Sequence, residues 1–283
     1  MKNYKLSDET KTTAWGTVLH RIVATTTFTL ACGLIITEGD VGGWIEKESN
    51  LSDNAWVSSD AQVYGNARVS GNARVSDTAQ VYGDARVSGI AHVSGNAQVS
   101  DNAQIYGNAQ VYGNAKASCN AQVYGTARVS DNALVSGDAR VCGYASVYGD
   151  AQVSDNAWVS GDVRVHDNAR IYDNAEVSGD TLVSGGALIF GDAQVSGNAK
   201  VSGDAKVMSA SDYIVFKNSW SSGRYFTWTK SNDMWTAGSF YGTGDELIKK
   251  AYADSEDNGK HYESYVKLVE TLKNVEQKRN EKL

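Results

Sequence analysis

Between Ile45 and Lys206 the apolar positions of the chain recur every six residues, and this segment divides into 27 consecutive hexads with no residue inserted or deleted. A repeat of such regularity outranks local propensity as a guide to architecture. The first hexad position is Val, Ile or Leu in 26 of 27 units, with Ala117 the exception, and the fifth is Ala in 24, replaced by Ser49, Val163 and Thr181. Strand side chains alternate between two sides, so the run Ala-x-Val-x puts both apolar residues on one side and the second and sixth positions on the other. The apolar side is the predicted core. The third position is Gly or Asp in 24 units and the fourth is usually Asn or Asp; these types accept positive φ or hydrogen-bond their own backbone, which makes them the predicted corners. A four-residue strand and a two-residue corner, repeated three times, close a triangular coil of 18 residues. Nine such coils stacked at about 4.8 Å form a prism roughly 43 Å long.

The flanking segments read differently. Thr17–Ala24 and Gly33–Thr37 are β-rich and Glu38–Trp44 is a turn-rich link. A solenoid's end exposes strand edges and core, so residues 1–44 are predicted to be a cap. After Lys206 the composition shifts to aromatics and charges. Tyr213–Phe216 and Arg224–Trp228, separated by Ser221-Ser222-Gly223, read as a hairpin, with a further strand through Met234–Thr236. Thr243-Gly244-Asp245-Glu246 is a capping-box pattern opening a short helix, and Tyr262, Tyr265, Val266, Val269, Leu272 and Val275 form one apolar face of a second. Trp220, Trp228 and Trp235 are expected to form a small aromatic core, the alternative being a ligand groove. The predicted fold class is all-β, a left-handed parallel β-helix of about nine coils over residues 45–206, with a small N-terminal β cap over 1–44 and a C-terminal α+β module over 207–283.

Units such as Val69-Ser70-Gly71-Asn72-Ala73-Arg74 resemble the hexapeptide-repeat family. The order of hairpin, Gly242-Thr243 turn and two helices resembles C-terminal modules of phage and prophage hexapeptide-repeat proteins, whose roles are undefined. The best-known family members are trimeric acyltransferases that use a histidine and a loop projecting from the coils at a subunit interface. This chain departs from them. No loop interrupts the frame, and the only histidines of the repeats, His92 and His166, occupy outward positions four coils apart, roughly 19 Å by the ladder spacing. They cannot share a substrate atom, and each is expected to be a solvated surface residue. The chain is therefore expected not to be an enzyme, no catalytic residue is assigned, and acyl transfer is the least favoured function.

A formal net charge of −7 disfavours broad nucleic-acid or anionic-membrane surfaces, which rely on dense Lys and Arg. Absence of proline suits a fold in which every coil donates N–H groups to its neighbour. Cys32, Cys119 and Cys142 have no CxxC spacing, so unpaired thiols in a reducing compartment are expected rather than a disulfide framework or a thiolate zinc site. The apolar stretch Gly16–Ile36 carries His20 and Arg21 within a β-branched run and reads as strands rather than a bilayer span. Met1–Ser7 lacks the basic-then-apolar pattern of a secretory signal. A cytoplasmic protein without membrane contact is expected. No P-loop, dinucleotide fingerprint, nucleophile elbow or zinc-ligand spacing is present, so neither cofactor nor metal is assigned.

Residues 18 apart lie above one another, which sorts the outward positions into three faces. The first face, backed by Val63, Val81, Val135, Ile171 and Ile189, displays Tyr64, Tyr82, Leu134, Tyr172, Leu188 and Phe190. This apolar strip is expected to be the interface of a homo-oligomer, trimer or dimer, unless the C-terminal module covers it. The second face displays Arg68, Arg86, Arg140 and Trp158, candidate contacts for an anionic, nucleotide-like ligand because guanidinium and indole suit a phosphorylated aromatic. The third displays Arg74, His92, Arg128 and Arg164. Glu48, Asp84, Asp101, Asp138, Asp155, Asp173 and Asp192 share the corner after the first face, where solvated turn-formers are expected rather than a cation ridge. Two functions follow. One is a non-enzymatic scaffold presenting rigid faces to a macromolecular protein partner, for example a phage-type factor antagonising a host system. The alternative is an oligomer whose subunit interfaces bind or sequester a small anionic ligand.

Overall fold

The computed structural model describes residues 2–280. Residues 45–207 form a parallel β-solenoid. Gln80–Val81 pair with Gln62–Val63 on one side and Gln98–Val99 on the other, so the ladder offset is the 18-residue coil. Three sheets run along the prism. Two have eight and nine strands, and the third reaches twelve because the N-terminal strands Tyr4–Thr12 and Val18–Ala24 extend it antiparallel beyond Val41–Ile45. Each rung holds a two-residue strand such as Gln62–Val63, rather than the four residues expected, because the flanking positions already bend into corners. From Leu51 onward the inward positions are closed to solvent, Ala61, Val63, Val135 and Val207 each at 0% exposure, whereas in the first hexad a 3-10 turn over Glu48–Asn50 leaves Ser49 exposed and buries Asn50. Each buried Val contributes on the order of 1.5–3 kcal/mol, so stability accrues in many small, repeated increments.

The corners explain the Gly-or-Asp rule. A third-position glycine such as Gly71 sits at φ +69, where a Cβ would meet the backbone of Gly89 one coil on. Seven aspartates, Asp53, Asp77, Asp101, Asp131, Asp155, Asp167 and Asp173, occupy the same left-handed region. Each turns its carboxylate onto the N–H of the third residue one coil on, from Asp77 to Gly95 at 2.8 Å and from Asp167 to Gly185 at 3.0 Å, for example. Fourth-position amides make a second ladder: Asn96 donates to Asn114, Asn114 to Asn132 and Asn132 to Asp150, each at 3.0 Å.

Backbone N–H groups at even hexad positions donate to carbonyls one coil further on, as from Gln62 to Ala79 at 2.9 Å. The last coil has no such partner, and the C-terminal module supplies one. The N–H of Lys200 donates to Thr227 Oγ1 at 2.8 Å, that of Lys206 to Ser231 Oγ at 2.6 Å and that of Ser196 to Tyr213 Oη at 3.4 Å. At the other end Ile22, Leu30 and Ile36 join the solenoid core and close it. The strand Tyr4–Thr12 was not foreseen, since its sequence YKLSDETKT carries little apolar signal; its partner strand and Tyr4 Oη, which donates to the carbonyls of Glu48 and Leu51, hold it.

The module is a four-stranded antiparallel sheet, with Phe240–Gly242 added to the three expected strands, followed by helices α1 (Gly244–Asp254) and α2 (Glu256–Asn280). Thr243 and Glu246 form the capping box at the start of α1. The apolar face of α2 is only partly used. Tyr262, Val266 and Val269 are buried against the sheet, whereas Leu272 and Val275 are exposed, and on these last turns it is Lys273 and Glu276 that meet the hairpin, at Asp233 and Lys230. Trp228 and Trp235 belong to the module's core, while Trp220 stands at a loop tip, 80% exposed. Among the described residues no helix is long and apolar enough to cross a membrane.

Candidate functional site: a cationic cleft where the solenoid meets its C-terminal module

A cavity of about 730 Å³ opens between the third face and the module. Its solenoid wall is two vertical rows of side chains. The corner after the second face supplies Tyr144, Asp162, Asp180 and Asn198, one per coil, and the third face supplies Ser146, Arg164 and Lys200. The module overhangs with Gly223-Arg224-Tyr225 and Gly238. Docking fixes the upper end, because the Lys200 N–H is bound to Thr227 and its Nζ donates to the Gly238 carbonyl at 3.2 Å. Burial holds the Lys200 ammonium below its ordinary pKa, and the Arg164 and Arg224 charges push the same way; no carboxylate acts against them.

The repeat is disturbed at this cavity. The corners at 161–162 and 179–180, which carry Asp162 and Asp180, are open bends, whereas a corner such as Gly71-Asn72 is closed by the hydrogen bond from the Ala73 N–H to the Ser70 carbonyl. In both, the buried fifth residue is larger than alanine: Val163 and Thr181 each lie at 0% exposure. The Thr181 hydroxyl donates to the Ser178 carbonyl at 2.7 Å. Tyr144, 69% exposed, stands where Asn72, Asn108 and Asn198 stand in other coils of the same row.

Residues anticipated from sequence are distributed as follows. Arg68 and Arg86 are ladder partners beside a shallow groove of about 280 Å³ with Lys47, Asn66 and Asp84. Arg140 pairs with Trp158 three rungs on, separated from Arg86 by Gln104 and Gln122, so the four do not converge. The Trp158 indole N–H points to Cys142 Sγ at 3.3 Å, beside Tyr124. Tyr124 stacks on Tyr106 at 4.9 Å, and its phenol is pushed up to about 12 by the hydrogen bond with Cys142 and by burial.

On the first face Tyr64 stacks on Tyr82 and Tyr172 on Phe190, each at 5.2 Å, and Leu134 and Leu188 are half-buried. The module docks on the end of the prism and beside the third face; Met208, next above Phe190, remains 56% exposed. His92 is not the solvated residue expected. The N-terminal turn at Cys32–Leu34 overhangs it, forming a groove of about 510 Å³ with Arg74, Ile90 and Gln110, and its Nε2 lies 3.0 Å from Ser76 Oγ. Burial, then Arg74, holds its pKa down against Asp77. His166 stacks on Tyr148 and sits 3.1 Å from Asp167. Of the corner carboxylates, Asp101, Asp155 and Asp173 accept backbone N–H groups and Asp138 and Asp192 end amide ladders, so these five serve the fold.

Sequence reading placed Arg164 on the third face but missed Tyr144, Asp162, Asp180, Lys200 and Arg224 as a group. The usable signal was departure from the repeat, since Tyr144, Val163 and Thr181 break it in consecutive coils.

An unbroken parallel ladder with an 18-residue pitch, Gly/Asp corners and capped ends defines a β-solenoid protein of the hexapeptide-repeat kind. More particularly, residues 61–77, 79–95, 127–143, 151–167 and 169–185 each match the family described as YdcK Beta solenoid repeat. A search of curated proteins finds no match to the chain.

Proposed function

We propose that the protein is a non-catalytic binding scaffold whose solenoid is a rigid frame and whose ligand is an anion taken up between the third face and the C-terminal module. The carrying observation is the convergence of Arg164, Lys200 and Arg224 on one cavity, three cations against the two carboxylates of Asp162 and Asp180. Like charges gathered in a recess repel one another, and a bound anion converts that repulsion into attraction. The cavity volume falls within the roughly 300–1,000 Å³ typical of small-ligand sites. Its lining holds the hydroxyl of Ser146 and neither imidazole nor thiol.

Calorimetry with pyrophosphate at low ionic strength is the direct test. Micromolar binding that weakens with salt and is lost in an Arg164→Gln, Lys200→Gln double variant is expected; a wild type that binds nothing ends this reading. No turnover is expected with acetyl-coenzyme A and a panel of amines. A second reading, a protein partner on the second face, is favoured by Trp158, 42% exposed beside Arg140. A partner whose capture is lost on Trp158→Ala would support it.

A further inference from the structure

We infer that the ligand of the cleft is a nucleoside 5′-phosphate, with the diphosphate filling the site better than the monophosphate; this rests on the cleft being the anion site. The cavity has polarity from end to end. At its lower end the ring of Tyr144 is bare, and it is the one aromatic in a row that otherwise holds Asn72, Ile90, Asn108, Thr126, Asp162, Asp180 and Asn198. At its upper end Lys200 and Arg224 meet, with Arg164 two rungs below Lys200 on the same face. Asp162 and Asp180 occupy the two rungs between.

Each stretch suits one part of a nucleotide. A base stacks on an exposed tyrosine whatever its hydrogen-bonding edge. A carboxylate accepts hydrogen bonds and donates none, so Asp162 and Asp180 suit the ribose hydroxyls and would repel a phosphate placed there. Guanidinium and ammonium groups bind phosphate oxygens, the role of Lys200 and Arg224, while Arg164 shares its rung with Asp162 and adds positive field along the path to them. Tyr144 lies three rungs below Asn198, the rung of Lys200, or about 14 Å by the ladder spacing. That length leaves room for a base, a ribose and two phosphates in line. The other tyrosine, Tyr225, is less suited to stacking, because the Lys217 ammonium lies over its ring at 5.2 Å.

Titration of the wild type with ADP, UDP, AMP, ribose 5-phosphate and pyrophosphate tests this. Both nucleoside diphosphates should bind at least about tenfold more tightly than pyrophosphate, the lower end of what stacking contributes, and more tightly than AMP. Tyr144→Asn, which installs the residue common in this row, should erase that advantage and leave pyrophosphate affinity unchanged, whereas Tyr144→Phe should keep it. On the unmodified protein, dideoxy-ADP should lose part of the gain through its missing hydroxyls. Equal affinity for pyrophosphate and the nucleoside diphosphates, or an advantage that survives Tyr144→Asn, overturns the nucleoside assignment and leaves the anion site standing. Absence of binding by every probe, pyrophosphate included, overturns both.

Discussion

Gly89 offers a test of why the corners accept aspartate as well as glycine. It sits at φ +71, and a Cβ there would lie 2.9 Å from both the nitrogen and the oxygen of Gly107 one coil on. For Gly89→Ala the left-handed backbone alone costs about 1–2 kcal/mol, and the contact with Gly107 adds to it. For a chain of this size that lowers the melting midpoint by roughly 4 °C or more. Gly89→Asp carries the same Cβ, yet seven native corners show the remedy, a carboxylate accepting the N–H one coil on. Such a charge-assisted bond, discounted for solvent exposure, returns about 1 kcal/mol. The aspartate variant should therefore lie within about 1 kcal/mol of wild type and above the alanine variant at pH 7. The sign of its pH dependence is fixed by Asp167, whose carboxyl is held below its ordinary 3.8 first by the Gly185 N–H and then by His166. A carboxyl depressed in the fold stabilises it above the unfolded value, and that contribution is lost as pH falls through the folded value. The advantage of Asp over Ala at residue 89 should shrink as pH falls below the ordinary carboxyl value of 3.8 and be lost once the folded carboxyl is protonated. Circular dichroism melts of both variants across pH decide it, and an alanine variant as stable as the aspartate one at pH 7 refutes the reasoning.

His92 is held below its ordinary 6.5 by burial and then by Arg74, so the unfolded chain takes up the proton first and stability declines as pH falls below that value. His92→Gln, matching Gln110 on the next rung, should flatten the melting curve between about pH 5 and 7; an unchanged slope would show that His92 is not responsible. Thr227→Val keeps shape but leaves the Lys200 N–H without its acceptor, an expected loss of about 1–3 kcal/mol in urea unfolding; a loss too small to measure would mean the docking bond is dispensable. On the first face, light scattering of the wild type is expected to show an oligomer that Leu188→Glu with Phe190→Glu dissociates; a monomeric wild type, or an oligomer that survives the double change, counts against this face as the interface.

Most of the solenoid could be read from the chain because its determinants are local and repeated. Val63, Ala67 and Gly65 each state their role within one hexad, and the coil pitch follows from closing a triangle. The module's core was half legible. Thr243 and Glu246 announced α1, but nothing in the apolar spacing of α2 revealed that Lys273 and Glu276, rather than Leu272 and Val275, face the hairpin on its last turns. The cleft was the least legible part, for a physical reason. Arg164 and Arg224 are 60 residues apart in the chain, and what joins them is the angle at which the module docks on the last coil. That angle is fixed by Thr227, Ser231 and Tyr213 meeting orphan N–H groups, a pairing no periodicity encodes.

The uninterrupted frame makes length a quantised variable. Inserting 18 residues in the middle of the prism adds one storey, about 4.8 Å, and returns every later side chain to the vertical row it left. The cleft, built from the last coils and the module alone, would ride upward unaltered. Inserting a single hexad instead turns everything beyond it by a third of a revolution relative to the N-terminal cap. The overhang at Cys32–Leu34 and the overhang at Gly223–Tyr225, which now share the third face, would then look out over different sides. Whatever spans both ends of this molecule can therefore be accommodated to a longer version only in whole-coil steps, and the spacing between its two grooved ends is set as a tally of coils.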